Sequence, residues 1–330
     1  MTVASPLSVL PTMAADLTRL EELLRNAVVA EDDYLTEIAG HLIAAGGKRV
    51  RPGFAIAAGG TRHAEAVPAS HDVLMGGVAV ELVHIGSLYH DDVMDEAQMR
   101  RNATSVNARW GNLKAILAGD FLLARASEIA ASLGTEVAGL LAATIGQLCE
   151  GQILELRDTY NVDRTQVDYE RSIAGKTASL LATACRVGGI VGEIPRADID
   201  ALNEFGHAYG MAFQIVDDIL DVIATDEELG KPAGNDLLEG VYTLPVLRAM
   251  QAPSGGELRS ILGGELTTAD RDRARDIVRA SPGVGEALDE ARRWADKAGA
   301  VLTSLPASAA TDALLAAADH LIRRAADPLS

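Results

Sequence analysis

From Met13 almost to the end of the chain, apolar residues return every three or four positions, and nowhere do they alternate over the length of a strand. That periodicity confines the fold to packed helices. It begins with Leu17, Leu20, Leu23 and Leu24 and continues through runs at about 32–45, 71–95, 111–132, 136–158, 164–190, 198–224, 243–251, 268–279, 284–303 and 307–325. Turn signals punctuate these runs at Gly46-Gly47, Gly59-Gly60, Gly188-Gly189, Gly263-Gly264 and Pro282-Gly283. Aromatic residues make up 4% of the chain against 48% hydrophobic residues, which suits close-packed helices and disfavours a β-sandwich or barrel. No linker rich in Pro and Ser divides the 330 residues, so the expectation is one all-α domain over 13–330, a helical bundle preceded by a loose arm at 1–12.

The balance of 29 Lys and Arg against 47 Asp and Glu gives a formal charge of −18. Such a chain repels a nucleic-acid backbone, and no nucleic-acid partner is expected. A small polyanion is still bindable, through a local basic cluster or a divalent cation bridging it to carboxylates. Cys149 and Cys185 form no CxxC pair, and a reducing cytoplasm is the natural setting. No Lys or Arg precedes Arg19, and Pro6 and Pro11 interrupt the start, which lacks the basic opening of a secretory signal. The run from Val78 to Leu88 contains Glu81 and His84, so no bilayer span is expected.

One motif occurs twice: Asp-Asp-x-x-Asp, at Asp91, Asp92, Asp95 and at Asp217, Asp218, Asp221, each copy after an apolar helical run. On a helix the first and last Asp lie one turn apart on the same face. Like charges so placed destabilise the helix, and a hard divalent cation relieves the conflict. Magnesium takes oxygen ligands and commonly binds through one or two carboxylates plus substrate phosphates, so two such clusters suit the gripping of a diphosphate. Neither copy has the pattern of a calcium EF-hand loop. Cations complement them: Lys48, Arg49 and Arg51 stand behind Gly46-Gly47, and Arg100-Arg101 follows Asp95. Arginine binds phosphate oxygens bidentately and lysine adds a point charge. Gly175-Lys176-Thr177 is no P-loop, because position 170, where that motif needs glycine, is Glu170.

These segments together resemble the trans-polyprenyl diphosphate synthases. They are GGKRVRP at 46–52, ELVHIGSLYHDDVMDEAQMRR at 81–101, GDFLLARA at 119–126, GKTASL at 175–180, GMAFQIVDDILDV at 210–222 and GKPAGNDLLEGVYTLP at 230–245. The resemblance implies an all-α bundle of isoprenoid synthase type around a deep central cavity, working as a homodimer. It further implies magnesium-dependent 1'-4 condensation of isopentenyl diphosphate with an allylic diphosphate, with three magnesium ions per site. Carried over by position, Lys48, Arg51, His84 and Arg101 bind isopentenyl diphosphate, and Arg100, Lys176 and Lys231 bind the allylic diphosphate. Asp91, Asp95, Asp217, Asp218 and Asp221 match metal positions, with Asp92 in support, while Lys176, Thr177 and Gln214 line the reaction centre. The protein is expected not to span a membrane, with transient membrane contact at product release. Two departures stand out: Asn102 where the family commonly has Gly, and Val241 where many members have Lys. Asn tolerates left-handed geometry, so a similar turn is expected at Asn102.

Product length is read from the helix before the first motif. Val83, Gly86 and Ser87 lie one and two turns below Asp91 and are all small, whereas short-chain members often carry an aromatic ring at the fourth or fifth position before the motif. Tyr89 lies off that face. The expectation is a long product, hexaprenyl or beyond. The alternatives are a farnesyl or geranylgeranyl synthase, a class I terpene cyclase, or a non-catalytic synthase subunit. The intact second Asp motif and GGKRVRP weigh against the last two.

Overall fold

A computed structural model describes residues 7–225, 233–253 and 255–326. Helices form where periodicity places them, and several begin at a side-chain cap. α1 is Met13–Ala27 and α2 is Asp33–Ala44, the latter capped by Asp32, whose carboxylate accepts from the Tyr34 N–H at 2.7 Å. α3 (Val50–Gly60) lies where the glycines and Pro52 read as turns. Arg49, at φ 46°, leads the chain into it, and Pro52 sits in the first turn, where a missing N–H costs nothing. Pro52 therefore opens a helix rather than ending a turn.

α4 (His71–Met94) is capped by Ser70 and ends at the first acidic motif. A hairpin follows, β1 (Met99–Arg100) against β2 (Ala103–Thr104), antiparallel with Arg100 opposite Ala103. Its corner residues Arg101 (φ 53°) and Asn102 (φ 59°) are both left-handed, the geometry of a tight primed hairpin turn, so Asn102 does take the conformation expected of it. Strands of two residues are too short to show as alternation.

α5 (Val106–Trp110), α6 (Asn112–Leu133) and α7 (Thr135–Arg157) follow. The single run expected at 164–190 is three pieces: α8 (Gln166–Ile173), a π-helical turn at Ala174–Ala178, and α9 (Ser179–Val191). α8 starts with a full capping box between Thr165 and Asp168. α10 (Arg196–Ile223) carries the second acidic motif. The remainder is α11 (Asn235–Leu238), α12 (Leu244–Gln251), α13 (Gly255–Ile261), α14 (Thr268–Ala280), α15 (Gly283–Leu302) and α16 (Ala309–Ala326).

The chain gathers into two compact units. The first comprises the chain up to Ile145, Leu180–Gly206 and Val301–Ala317; the second comprises Gly146–Ser179, His207–Ala300 and the chain from Ala318. In the first, α3 meets α9 backbone to backbone: a Cβ on Gly188 would fall 2.1 Å from the Ala55 carbonyl oxygen, and one on Gly59 3.2 Å from the Gly188 carbonyl oxygen. Phe54 and Phe205 pack there with centroids 5.8 Å apart. Buried Tyr169, Tyr209 and Tyr242 are the largest core residues of the second unit.

Two helices, α4 and α7, are long and apolar enough to cross a bilayer by length and composition alone. α4 buries 72% of its most apolar window inside the protein, as a core helix does, whereas α7 buries 22%.

Candidate active site

In the first unit, α3, α4 and the hairpin bring cations together around Glu81. Arg49 is buried, donates to Glu81 at 2.9 Å and to the Ile43 carbonyl, and pairs with Glu21. It is thus a structural post. Arg101 donates to the carbonyl oxygens of Gly46 (2.6 Å) and Leu42 (3.3 Å), tying the hairpin corner to the Gly46-Gly47 turn. A Cβ on Gly47 would meet the Arg101 guanidinium at 3.0 Å. The Arg51 Nε lies beneath the surface with no hydrogen-bond partner. Burial pushes the Arg51 guanidinium down to about 10, with Glu81 opposing and Arg101 adding to the shift. Burial also holds His84 well below the usual histidine value, reinforced by Arg51 and Arg101, so its ring is neutral at neutral pH. A cluster of crowded cations with an unsatisfied donor is built for an anion. Lys48 is exposed at the entrance to α3. Lys48, Arg51, His84 and Arg101 thus lie in one unit, the last three close enough to shift one another's charge.

The first motif divides by role. Asp91 is half-buried and Asp95 exposed, but Asp92 is fully buried and accepts from the Arg100 Nε at 2.6 Å. Burial raises its carboxyl, with Arg100 opposing. Asp92 therefore orients Arg100. Just upstream, His90 rests on Gly119, where a Cβ would come within 2.3 Å of its Nε2, and that nitrogen contacts the Ile116 carbonyl at 3.2 Å and Asp120 at 3.4 Å. The Gly-Asp of GDFLLARA is explained by this seat.

Of the residues proposed for product length, Val83 is fully buried and the Ser87 hydroxyl, half-buried, donates to the His84 carbonyl at 2.8 Å. Gly86 faces α6: a Cβ there would stand 3.1 Å from the Gly119 carbonyl oxygen and 3.3 Å from Leu123. Its smallness serves helix packing.

The second unit holds Lys176, Thr177 and Gln214 against the second motif. The π turn aims Lys176 and Thr177. Gly175 packs against Gly151 of α7, and a Cβ on Gly151 would fall 2.3 Å from the Lys176 amide nitrogen. Lys176 pairs with Glu155 at 2.5 Å. The Thr177 hydroxyl donates to Gln214 Oε1 at 2.7 Å, and Gln214 Nε2 donates to Asp218 Oδ1 at 2.8 Å. Tyr169 donates to the other oxygen, Asp218 Oδ2, at 2.5 Å. Asp217 is exposed while Asp218 and Asp221 are buried, repeating the open-first, buried-second pattern of the first motif. Burial pushes Asp218 up to about 7, against its hydrogen bonds from Tyr169 and Gln214. Asp221 holds the segment before α11, accepting from the Gly234 N–H at 2.8 Å through its backbone and from the Asp236 N–H through its side chain. Asp92, Asp218 and Asp221 are thus buried and hydrogen-bonded to protein groups, whereas Asp91, Asp95 and Asp217 are more open to solvent. A cavity of about 110 Å³ is lined by Glu155, Lys176, Thr177, Gln214, Asp218 and Val241 among others. Lys231 lies outside the described residues.

Among the described residues no three His, Cys, Asp or Glu side chains form a cluster able to hold a metal unaided. Half-buried Asp91 and exposed Asp95 in the first unit are hard oxygen donors of the kind magnesium takes when water and substrate phosphates complete its shell, and exposed Asp217 offers the same donor type in the second unit. Sequence reasoning passed over Glu81, Glu155, Tyr169 and Arg164. Glu81 had a signal, an acid inside an apolar run that demands a buried cation.

An all-helical chain with two Asp motifs near helix ends and a buried cation cluster fits a class of prenyl-transferring synthases. The Polyprenyl synthetase family profile matches residues 32–280, and the chain belongs to that family. It is 40% identical to the nonaprenyl diphosphate synthase of Mycobacterium tuberculosis over 94% of this chain and 92% of that one. It is 39% identical to heptaprenyl diphosphate synthase component 2 of Geobacillus stearothermophilus, over 89% and 91%. It also superposes on the geranylgeranyl pyrophosphate synthase of Corynebacterium glutamicum, solved with calcium and isoprenyl diphosphate, at a TM-score of 0.81 and 42% identity, covering 95% and 96%.

Proposed function

We propose that this trans-prenyltransferase elongates an allylic diphosphate with isopentenyl diphosphate to a long all-trans product. The observation that carries the two-substrate reading is the buried cluster of Arg51, His84 and Arg101, a second anion site beyond the acidic motifs. Lys48, Arg51 and Arg101 hold the isopentenyl diphosphate, with neutral His84 as a hydrogen-bonding partner. Arg100, aimed by Asp92, and Lys176, aimed by the π turn, bind the allylic diphosphate, as does Lys231. Asp91, Asp95 and Asp217 would hold magnesium, which when bound supplies charge neutralisation for the leaving diphosphate. The allylic C–O bond breaks, and the double bond of isopentenyl diphosphate forms the new C–C bond to the resulting cation. A proton then leaves the adduct to restore an alkene, and the departed diphosphate is its acceptor. Thr177 and Gln214 present hydroxyl and amide dipoles to the cation, and proximity supplies much of the rate.

The nonaprenyl relative and the absence of an aromatic at Gly86 and Ser87 support a long product, while the geranylgeranyl relative favours a shorter one. Leu113, Ile116 and Leu117 are exposed along one face of α6, and this face supports a homodimer. The free cysteines and the acidic charge support a cytoplasmic setting. The test is product analysis with purified protein, magnesium, farnesyl diphosphate and labelled isopentenyl diphosphate. Hexaprenyl or longer products are expected. Products ending at geranylgeranyl refute the long-chain reading. Diphosphate release without isopentenyl diphosphate points to a cyclase, and no turnover at all to a subunit.

A further inference from the structure

Tyr169 is fully buried in α8, and its hydroxyl donates to one oxygen of Asp218 while Gln214 donates to the other. The Gln214 carbonyl oxygen in turn accepts from Thr177. The direction of this chain is dictated by donor chemistry. A phenol can only give its proton to a carboxylate, and a carboxylate that takes two donors on separate oxygens fixes which end of the Gln214 amide faces it. The remaining amide oxygen then sets the direction of the Thr177 hydroxyl. Arg164 keeps the ring in place: it is buried, donates to Ser172 Oγ (2.6 Å) and the Tyr242 carbonyl (3.1 Å), and stands 5.6 Å from the ring centroid.

We propose that Tyr169 is a positioning residue of the second acidic motif, its hydroxyl fixing Asp218 and, through Gln214, the Thr177 hydroxyl that faces the reacting carbon. A buried tyrosine that merely satisfies its hydroxyl needs any one acceptor. Here the acceptor is the middle residue of the motif, the neighbour of exposed Asp217. Packing alone does not require that choice. The proposal rests on the synthase reading above and on metal binding at Asp217.

The test compares the full-length protein with Tyr169→Phe, Asp218→Asn and Asp217→Ala. Mn²⁺ binding is followed by calorimetry in the presence of inorganic pyrophosphate, alongside kcat and both KM values. Tyr169→Phe keeps the ring and is expected to melt cooperatively. Its kcat should fall about 10- to 100-fold and its Mn²⁺ affinity about tenfold, with KM for isopentenyl diphosphate within about twofold. Folded Tyr169→Phe with native kcat and Mn²⁺ affinity overturns the proposal, as does a loss of kcat that only tracks the folded fraction. If Tyr169→Phe does not fold, Asp218→Asn decides, because its NH2 end replaces one of the two acceptor oxygens and meets a donor head-on. It must show the same joint loss, and native behaviour there overturns the proposal. Native Mn²⁺ binding in Asp217→Ala overturns the metal reading itself, an outcome distinct from a null result confined to Tyr169→Phe.

Discussion

Replacing Gly151 with Ala tests whether the π turn sets the position of Lys176 and Thr177. The added Cβ would fall 2.3 Å from the Lys176 amide nitrogen and 2.8 Å from both the Gly175 carbonyl carbon and the Ser172 carbonyl oxygen. All three are backbone atoms, so no rotamer change relieves the overlap. Restoring an ordinary 3.4 Å contact requires the turn and α7 to separate by about 1.1 Å. Overpacking of this kind costs about 1–3 kcal/mol, a drop of a few degrees in melting temperature for a chain of this size. The kinetic effect should be larger, since a displacement of about 1 Å in positioning groups lowers turnover on the order of a hundredfold. Gly146→Ala, on the same helix with nothing within 4 Å of its Cβ, is the control. It should keep native turnover and gain up to about 1 kcal/mol from helix propensity. Initial rates at saturating substrates and scanning calorimetry measure both effects. Native kcat in a folded Gly151→Ala protein would falsify the positioning argument.

Asp91→Ala should reduce kcat on the order of a hundredfold, because it removes a solvent-facing carboxylate; full turnover in the folded variant excludes Asp91 from metal binding. His84 is neutral in the folded state and protonates near its ordinary value when unfolded, so the unfolded chain binds more protons below about pH 6.5. Stability therefore falls as pH drops through that value, by at most about 1.4 kcal/mol per unit, and His84→Gln should flatten the slope in denaturant titrations. An unchanged slope would show that His84 does not titrate on unfolding. Ser87→Phe is a cleaner probe of product length than Gly86→Phe, since Ser87 is half-buried while a Gly86 side chain collides with α6. Shorter products with the first condensation retained are expected, and an unaltered product distribution removes Ser87 from chain-length control.

The helices were legible because their apolar period is strong, and both ends of α4 fell within a residue or two of the run at 71–95. α3 was hidden because Gly59 and Gly60 read as chain breakers; Gly59 is where α9 packs and Gly60 lies against Ala310 of α16, long-range contacts with no local trace. The π turn is hidden for a similar reason, since it exists to let Gly175 touch Gly151. In the site, the pairing of Asp91 with Asp95 and of Asp217 with Asp221 could be read from spacing. The inward turn of Asp92, Asp218 and Asp221 could not, because burial depends on partners such as Arg100 and Tyr169 that spacing does not reveal. The orphaned Nε of Arg51 needed coordinates too.

Each compact unit is assembled from three separate stretches of chain, and the first closes only with Val301–Ala317. During synthesis, which delivers the chain from its N-terminus, neither unit can be completed until almost the whole polypeptide has left the ribosome. α3 in particular waits for α9, over a hundred residues later, while its Gly59 surface stays uncovered. A chain stopped near residue 300 lacks a part of both units at once. Truncated forms of this enzyme should accordingly behave as aggregation-prone fragments instead of folded half-proteins, and its yield in cells should respond to the rate of translation and to chaperone supply.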